Sequence, residues 1–404
     1  MFSTAMKNQL WLYYAALAFA SMAAGIHDST FNNFLADVFR ITADERGLLE
    51  FPRELPGFLV VMMAGVLCMI PLTRVGVIAS VVSAAGLIGL AFSSGSYILM
   101  VMAMISMSAG MHLRQPVGMS IVISLSDEHN RGMRMGQAGA VRTLFIALGT
   151  GLVWLLMDHT DPQYRITFLC AAGIVMISGM FYAFMHVPHL HAPRRRLVVK
   201  RKYSLYYLLE FLAGARKQIF LTFGPWVLIQ IYGLPAPSIA GLLMVSSLIG
   251  IVFKPLAGMA MDYFGERLVM VTEGLLLALV CLGYGYAQWL FTEPVWALRL
   301  ACLCFILDEM LFATGTTRAL YLSRLTETPQ DLNSSLAMGI SINHIASMLI
   351  PAVAGAIWVL LGYERLFLFA AGFALLLAAV SSLAPRSGRL FVQRTAERSP
   401  DRQG

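Results

Sequence analysis

The chain has 404 residues, 58% hydrophobic and 13% charged, with a formal net charge of +7 and a mean hydropathy of +0.72. So apolar a composition excludes an ordinary soluble globular protein and calls for a bilayer. Backbone groups left unsatisfied in hydrocarbon cost several kcal/mol each, so only helices or a closed barrel can span it. Apolar runs of roughly 20 residues select helices over the roughly 10-residue alternation of barrel strands.

Twelve spans are predicted, at about 9–37, 47–72, 75–93, 97–125, 136–157, 164–185, 206–231, 238–261, 268–288, 295–322, 336–361 and 366–384. The start, with Lys7 followed by an apolar stretch and "AFA" at 18–20, has the pattern of a signal peptide. An uncleaved first helix is preferred, because Ser21, Gly25, Asp28 and Asn32 continue it at helical spacing. Between spans six and seven lies a basic connection, "HVPHLHAPRRRLVVKRKYS" at 186–204, which divides the chain six and six. The expected domains are therefore a six-helix bundle at 1–185, a linker at 186–204, a second bundle at 205–384 and a tail at 385–404. With the N-terminus inside, cytoplasmic segments hold Lys7, Arg74, Arg131, Arg134, the linker cations, Arg267, Arg324 and the tail arginines. Only Arg40, Arg46, Arg53, Arg165, Arg299 and Arg365 fall in outside loops and helix ends. The basic balance is thus a topology signal, with both termini cytoplasmic, and not a nucleic-acid footprint. Five cysteines, Cys68, Cys170, Cys281, Cys302 and Cys304, all sit in apolar runs as small hydrophobes.

The turn "GMAMDYFGER", Gly258 to Arg267, separates spans eight and nine. Gly258 is expected to let helices approach closely, Gly265 to supply a turn conformation, Arg267 to add inside charge, and Asp262 to accept hydrogen bonds or meet a cation. Here the sequence resembles the major facilitator superfamily, whose G-x-x-x-D-x-x-G-x-R signature matches at Gly258, Asp262, Gly265 and Arg267. The first-half counterpart, "MIPLTRVGV" at 69–77, keeps Gly76 but has Thr73 in place of the acid. "DEHNRGMRMGQ" at 127–137 and "HIASMLIPAVAGAIW" at 344–358 support the likeness. The resemblance implies an all-α membrane protein of twelve helices in two bundles, with the four signature residues as a cytoplasmic gate.

Ionisable groups at bilayer depth cost about 2.5–3.5 kcal/mol on insertion scales, so each is expected to face a cavity or a partner. The spans hold Asp28, Arg114, Arg142, Glu210, Arg216, Lys217, Lys254, Glu273, Asp308, Glu309 and Arg318. Arg114 has no acid in its own span. Glu210 and Lys217, seven residues apart, share one helix face, as a salt bridge or as functional groups. The resemblance implies a central cavity lined by spans one, four, seven and ten, and so by Asp28, Arg114, Arg216, Lys217, Asp308 and Glu309. Arg114, Arg216 and Lys217 are the expected substrate attractors, with Asn32 and Trp226 beside them. Asp28, Glu210, Asp308 and Glu309 are the expected proton carriers. Of the aromatics Phe220, Phe223, Trp226 and Tyr232, some line the pathway and most pack. His344 reads as a core histidine, and the histidines of 186–191 lack companion ligands, so no metal is expected.

No nucleotide, dinucleotide or hydrolase motif occurs, so neither enzyme activity nor a cofactor is expected. The reading is a monomeric secondary transporter in a bacterial inner membrane, in contact with lipid. It moves a small polar, anionic organic solute by alternating access, driven by a proton or another coupling ion. The alternative is a proton-coupled exporter of lipophilic or cationic compounds, weakened because "FIALGTGLVWLL" at 145–156 has no proline. A sensor that binds without translocating is a third, disfavoured reading.

Overall fold

The computed structural model describes residues 4–62, 70–127, 130–187 and 199–387. Cys68, Met69, Glu128, His129, His189, His191, Arg194 to Arg196 and the tail from 388 lie outside the described residues. The helices are α1 (Thr4–Phe34), continued by a π-helical turn (Leu35–Phe39), α2 (Ala43–Leu48), α3 (Glu50–Met62), α4 (Leu72–Ala91), α5 (Tyr97–Ser124), α6 (Arg131–Leu156) and α7 (Tyr164–Phe184). After a 3-10 turn at Arg201–Tyr203 come α8 (Ser204–Gln230), α9 (Ala236–Phe264), α10 (Glu266–Gly285), α11 (Ala287–Leu290) and α12 (Pro294–Leu311). A second 3-10 turn (Phe312–Gly315) leads to α13 (Thr316–Leu325), α14 (Pro329–Leu361) and α15 (Tyr363–Ser381). The described residues contain no strand.

Nine helices among the described residues are long and apolar enough to cross a membrane: α1 with its π turn, α4, α5, α6, α7, α9, α10, α14 and α15. The other three expected spans depart for visible reasons. Helix α3 runs up to residues outside the description. Helix α8 carries Glu210, Arg216 and Lys217, and α12 carries Arg299, Asp308 and Glu309 before the chain leaves α-geometry. The single helix expected over 295–322 is therefore interrupted at Phe312–Gly315. There the hydroxyls of Thr314 and Thr317 donate to the carbonyls of Leu311 and Thr314, each at 2.6 Å, competing with the helix ladder. Span eleven begins earlier than expected. Thr328 caps it by accepting from the Asp331 amide at 3.2 Å, and Pro329 occupies the first turn.

The chain divides into two compact units, one of 1–195 with 228–248, the other of 196–227 with 249–404. In the first, α4 packs on α5 and α7, and α1 on α6 and α7, around Tyr13, Val75, Ile121 and Tyr182. In the second, α10 packs on α15 and α12, and Tyr203, Leu212, Met270, Leu322 and Leu377 form a core. Leucines 155, 279 and 360 stand more than 60% exposed on spanning helices, the inverse of a water-soluble pattern and what lipid contact allows.

Small residues set the closest approaches. A Cβ at Gly25 would stand 2.5 Å from the Ile146 carbonyl oxygen, and one at Gly149 would strike the Met22 backbone, so α1 and α6 touch through reciprocal glycines. Gly149→Leu is expected to force these helices apart and destabilise the fold by about 1–3 kcal/mol. A thermal melt of the purified variant checks this, and an unchanged midpoint would refute the close approach.

Candidate functional site

In the first unit Asp28 is the single acid of α1. Its side chain is 57% accessible although Ile26, His27, Ser29 and Thr30 around it are all buried. Its Oδ1 meets His27 Nδ1 at 2.9 Å, and His27 stacks on Phe31. One turn on, Asn32 Oδ1 accepts from Arg46 Nε at 2.9 Å, and Asn33 Nδ2 donates to the Leu234 carbonyl at 3.0 Å.

Arg46 belongs to a group that the sequence reading assigned to outside loops and helix ends. Arg46 is 3% exposed and Glu50 0%. Glu50 is bracketed by Arg46 Nη1 at 2.5 Å and by Arg53 through Nε at 2.8 Å and Nη2 at 2.7 Å, while Arg53 Nη2 also reaches Glu54 at 3.2 Å. The spacing 46, 50, 53, 54 stacks these groups on one helical face, and desolvation makes the pairing obligatory. Arg53 also lies within electrostatic reach of Asp28. The Ser108 hydroxyl on α5 donates to the Arg53 carbonyl. The spacing was the available signal.

Arg114 turns into the interior of this unit. Its Nη2 donates to Ser83 Oγ on α4 at 3.3 Å, Tyr182 of α7 is within electrostatic reach, and its buried Nη1 has no hydrogen-bond partner among the described residues.

In the second unit Arg216 of α8 and Asp308 of α12 form a direct ion pair, 3% and 4% exposed. Lys217, next along α8, is half-buried. Its Nζ donates to Asn343 Oδ1 on α14 at 3.1 Å and lies over the Phe312 ring, 5.3 Å from the centroid. Glu210 turns to Arg318. Its Oε1 is 3.4 Å from Arg318 Nε, and Arg318 Nη1 reaches Glu273 Oε1 of α10 at 3.3 Å. Glu309 and His344 are half-buried. Trp226 and Phe223 are 1% and 0% exposed, packed rather than lining an open path, since aromatic area gains most from full burial.

At the turn between α9 and α10, Gly265 has φ +84°, the left-handed conformation expected of it, and a Cβ there would strike Ser387. Gly258 differs from expectation: a Cβ there would meet nothing within 4 Å, so no close helix approach depends on it. Asp262 is exposed and carries no hydrogen bond or ion pair among the described residues, and Arg267 is half-buried. The acid that is engaged is Glu266, 2% exposed, with Arg324 Nε at 2.7 Å from Oε1 and the Ser387 hydroxyl on Oε2. Arg324→Gln strands this buried carboxylate and is expected to cost about 3 kcal/mol. A thermal melt beside an Arg324→Lys control reads it, and equal melting of Arg324→Gln and wild type would contradict the Arg324–Glu266 pairing.

Nearby, Asp331 meets Lys200, Lys202 at 3.3 Å and the Tyr203 hydroxyl at 2.7 Å. Lys202 is raised above the ordinary lysine value, first by its hydrogen bond with Tyr203 and then by Asp331. No group of three or more histidines, cysteines or acids poised for a metal occurs among the described residues.

The sequence profile of the Major Facilitator Superfamily matches residues 14–329. No curated protein matches the sequence. Among solved structures, an aspartate-to-alanine mutant of the nucleoside transporter NupG is similar at TM-score 0.76 and 15% identity, over 92% of this chain and 98% of that one. The D-xylose-proton symporter is similar at TM-score 0.72 and 15% identity, over 95% and 99%. A deep set of buried charges on apolar helices, with transporter folds as structural neighbours, fits transport rather than enzyme chemistry. The chain belongs to the major facilitator superfamily.

Proposed function

We propose that this protein is a proton-coupled secondary transporter that moves a small polar organic solute by alternating access through twelve spans in two bundles. It works as a monomer in the inner membrane of a bacterium, with both termini cytoplasmic. The observation that carries the reading is Asp28. A carboxylate 57% exposed on a spanning helix, between buried neighbours, is too costly against lipid and needs a water-filled path. Spans one, four, seven and ten would line that path, and the turn at Gly258, Asp262, Gly265 and Arg267 would gate it.

Charge pairing bears on the substrate. Arg216 is committed to Asp308, and Arg318 to Glu210 and Glu273, so little free positive charge is left for an anion. A neutral, hydroxyl-rich solute asks instead for hydrogen-bonding groups and an aromatic face, as the Asn343 amide, the Lys217 ammonium and the Phe312 ring offer together. Nucleosides and D-xylose, named for the structural neighbours, are of that kind. The anionic reading keeps one specific support, the buried Arg114 Nη1 without a hydrogen-bond partner among the described residues. Neither neighbour's name favours the exporter alternative.

Thermal stabilisation of the purified protein separates the classes, because only ligands of the folded state raise its melting point. Uridine or D-xylose is expected to stabilise it, with Arg114→Lys responding like wild type. Stabilisation by small carboxylates alone, lost in Arg114→Lys, would establish the anionic reading instead. Topology has its own check. Single cysteines at positions Asn130 and Leu190, in a Cys-free background, should resist impermeant thiol reagents in intact cells, and labelling from outside would reverse the orientation.

A further inference from the structure

The stretch "GMHLRQPVG" at 110–118 puts a glycine one turn before Arg114 and another one turn after it, on the same face of α5. Both gaps are filled from other helices. A Cβ at Gly110 would strike Ser83 Oγ of α4, and one at Gly118 would stand 2.8 Å from the Tyr13 hydroxyl oxygen of α1. From α7, the Tyr182 ring lies against α4, where a Cβ at Gly76 would stand 2.5 Å from it, and Tyr182 is within electrostatic reach of both Arg114 and Tyr13. Four helices of the first unit therefore meet around one guanidinium. Tyr13, Ser83 and Tyr182 are 3%, 1% and 2% exposed. Tyr13, Ser83 and Arg114 stand nine to eleven residues from the same end of their helices, a common depth of roughly 15 Å.

Every polar group in this set brings an N–H or O–H donor. Arg114 Nη2 donates to Ser83 Oγ at 3.3 Å, and the buried Nη1 has no hydrogen-bond partner among the described residues. The hydroxyls of Tyr13 and Tyr182 carry no hydrogen bond among the described residues either. No acid neutralises the charge. Asp28, the single acid of α1, stands fifteen residues from Tyr13, roughly 22 Å along the helix, and Glu50 and Glu54 are held by Arg46 and Arg53. His112, two residues from Arg114, projects from nearly the opposite face of α5. The next charge is another cation. Arg142 of α6, exposed and eleven residues into its helix, is within electrostatic reach of Tyr13 and has no ion pair among the described residues.

A guanidinium held away from water without a counter-charge costs several kcal/mol. An anion relieves it. We infer that Arg114, Ser83, Tyr13 and Tyr182 form an anion-binding site inside the first unit, which takes a small inorganic monoanion of the size and charge of chloride. One guanidinium balances one negative charge, and side chains packed to 3% exposure or less suit a single small ion better than an oxyanion carrying an organic body. Bound there, the anion would accept from Arg114 Nη1 and from both phenols, joining α1, α5 and α7 through one shared acceptor. Arg142 on the exposed side would draw anions towards it. A neutral solute has no use for such a site, so it is separate from the solute path proposed above.

The melting midpoint of the purified full chain in nanodiscs, titrated from sodium methanesulfonate into sodium chloride at constant ionic strength, tests this. The wild type is expected to show a saturable rise of about 3 °C, with bromide acting like chloride. Arg114→Gln removes the charge and should lose the response. Tyr182→Phe and Ser83→Ala keep the charge and nearly the shape, and each should raise the half-saturating chloride concentration about tenfold. Should Arg114→Gln fail to fold, these two carry the same expectation. Equal melting of the wild type in both salts, or a chloride response unchanged in all three variants, would overturn the proposal. Stabilisation by small carboxylates and not by chloride would also overturn it and give Arg114 to an anionic solute. A chloride response that behaves as described in a protein that moves no solute would leave the anion site standing and refute only the transporter reading.

Discussion

Asp308→Asn is expected to lower the stability of the purified protein by about 3–5 kcal/mol, the largest effect of any single change considered. The cost arises because Arg216, 3% exposed, would keep its full charge with no carboxylate to neutralise it. Arg216→Gln should cost a similar amount for the mirror reason. The double variant Arg216→Gln/Asp308→Asn removes both charges and leaves two amides able to hydrogen-bond, so it should recover most of the loss. That non-additivity is the signature of direct coupling. Chemical unfolding in detergent measures all four proteins, and additive effects of the two single changes would show that the pair does not act as a unit. The pair accordingly fits a structural clasp between spans seven and ten better than the proton carrier expected at Asp308.

The second large effect falls on function and leaves the fold intact. Asp28→Asn removes a charge that is 57% exposed and, on the proposed path, faces water, so stability should hardly change, while the titratable group at the centre of that path is lost. In proteoliposomes with an imposed proton gradient, accumulation of substrate should fall to the equilibrium level, and exchange of substrate across the membrane should continue. Accumulation at the wild-type level would move coupling away from span one. Loss of exchange as well would make Asp28 a substrate contact.

Much of the scaffold was legible because hydropathy and punctuation act locally. The apolar runs, the capping threonine and proline at Thr328 and Pro329, and the left-handed Gly265 all declare themselves within a few residues. Partner choice did not. Arg216 and Asp308 are 92 positions apart, and nothing in either span tells which of the nearby acids Arg216 takes. The expected face-sharing of Glu210 with Lys217 was geometrically sound, but Arg318 and Asn343 from other helices claimed the two groups. At the turn, the signature drew attention to Asp262. The engaged acid is Glu266, because the sharp reversal at Gly265 brings the start of α10 against Arg324 and Ser387. The ladder of Arg46, Glu50, Arg53 and Glu54 follows from its spacing, but basic residues near a helix end are ordinarily solvated, so spacing alone does not tell that it is buried.

The central claim is gradient-driven movement of a polar solute, and the most direct test is uptake by proteoliposomes containing only this protein. A panel of labelled uridine, D-xylose and small carboxylates is supplied outside, with a proton gradient imposed across the membrane. The account predicts saturable accumulation of at least one solute, abolished by a protonophore and independent of ATP, with counterflow persisting when the gradient is collapsed. Uptake no greater than in empty vesicles, with no counterflow of any member of the panel, would contradict it.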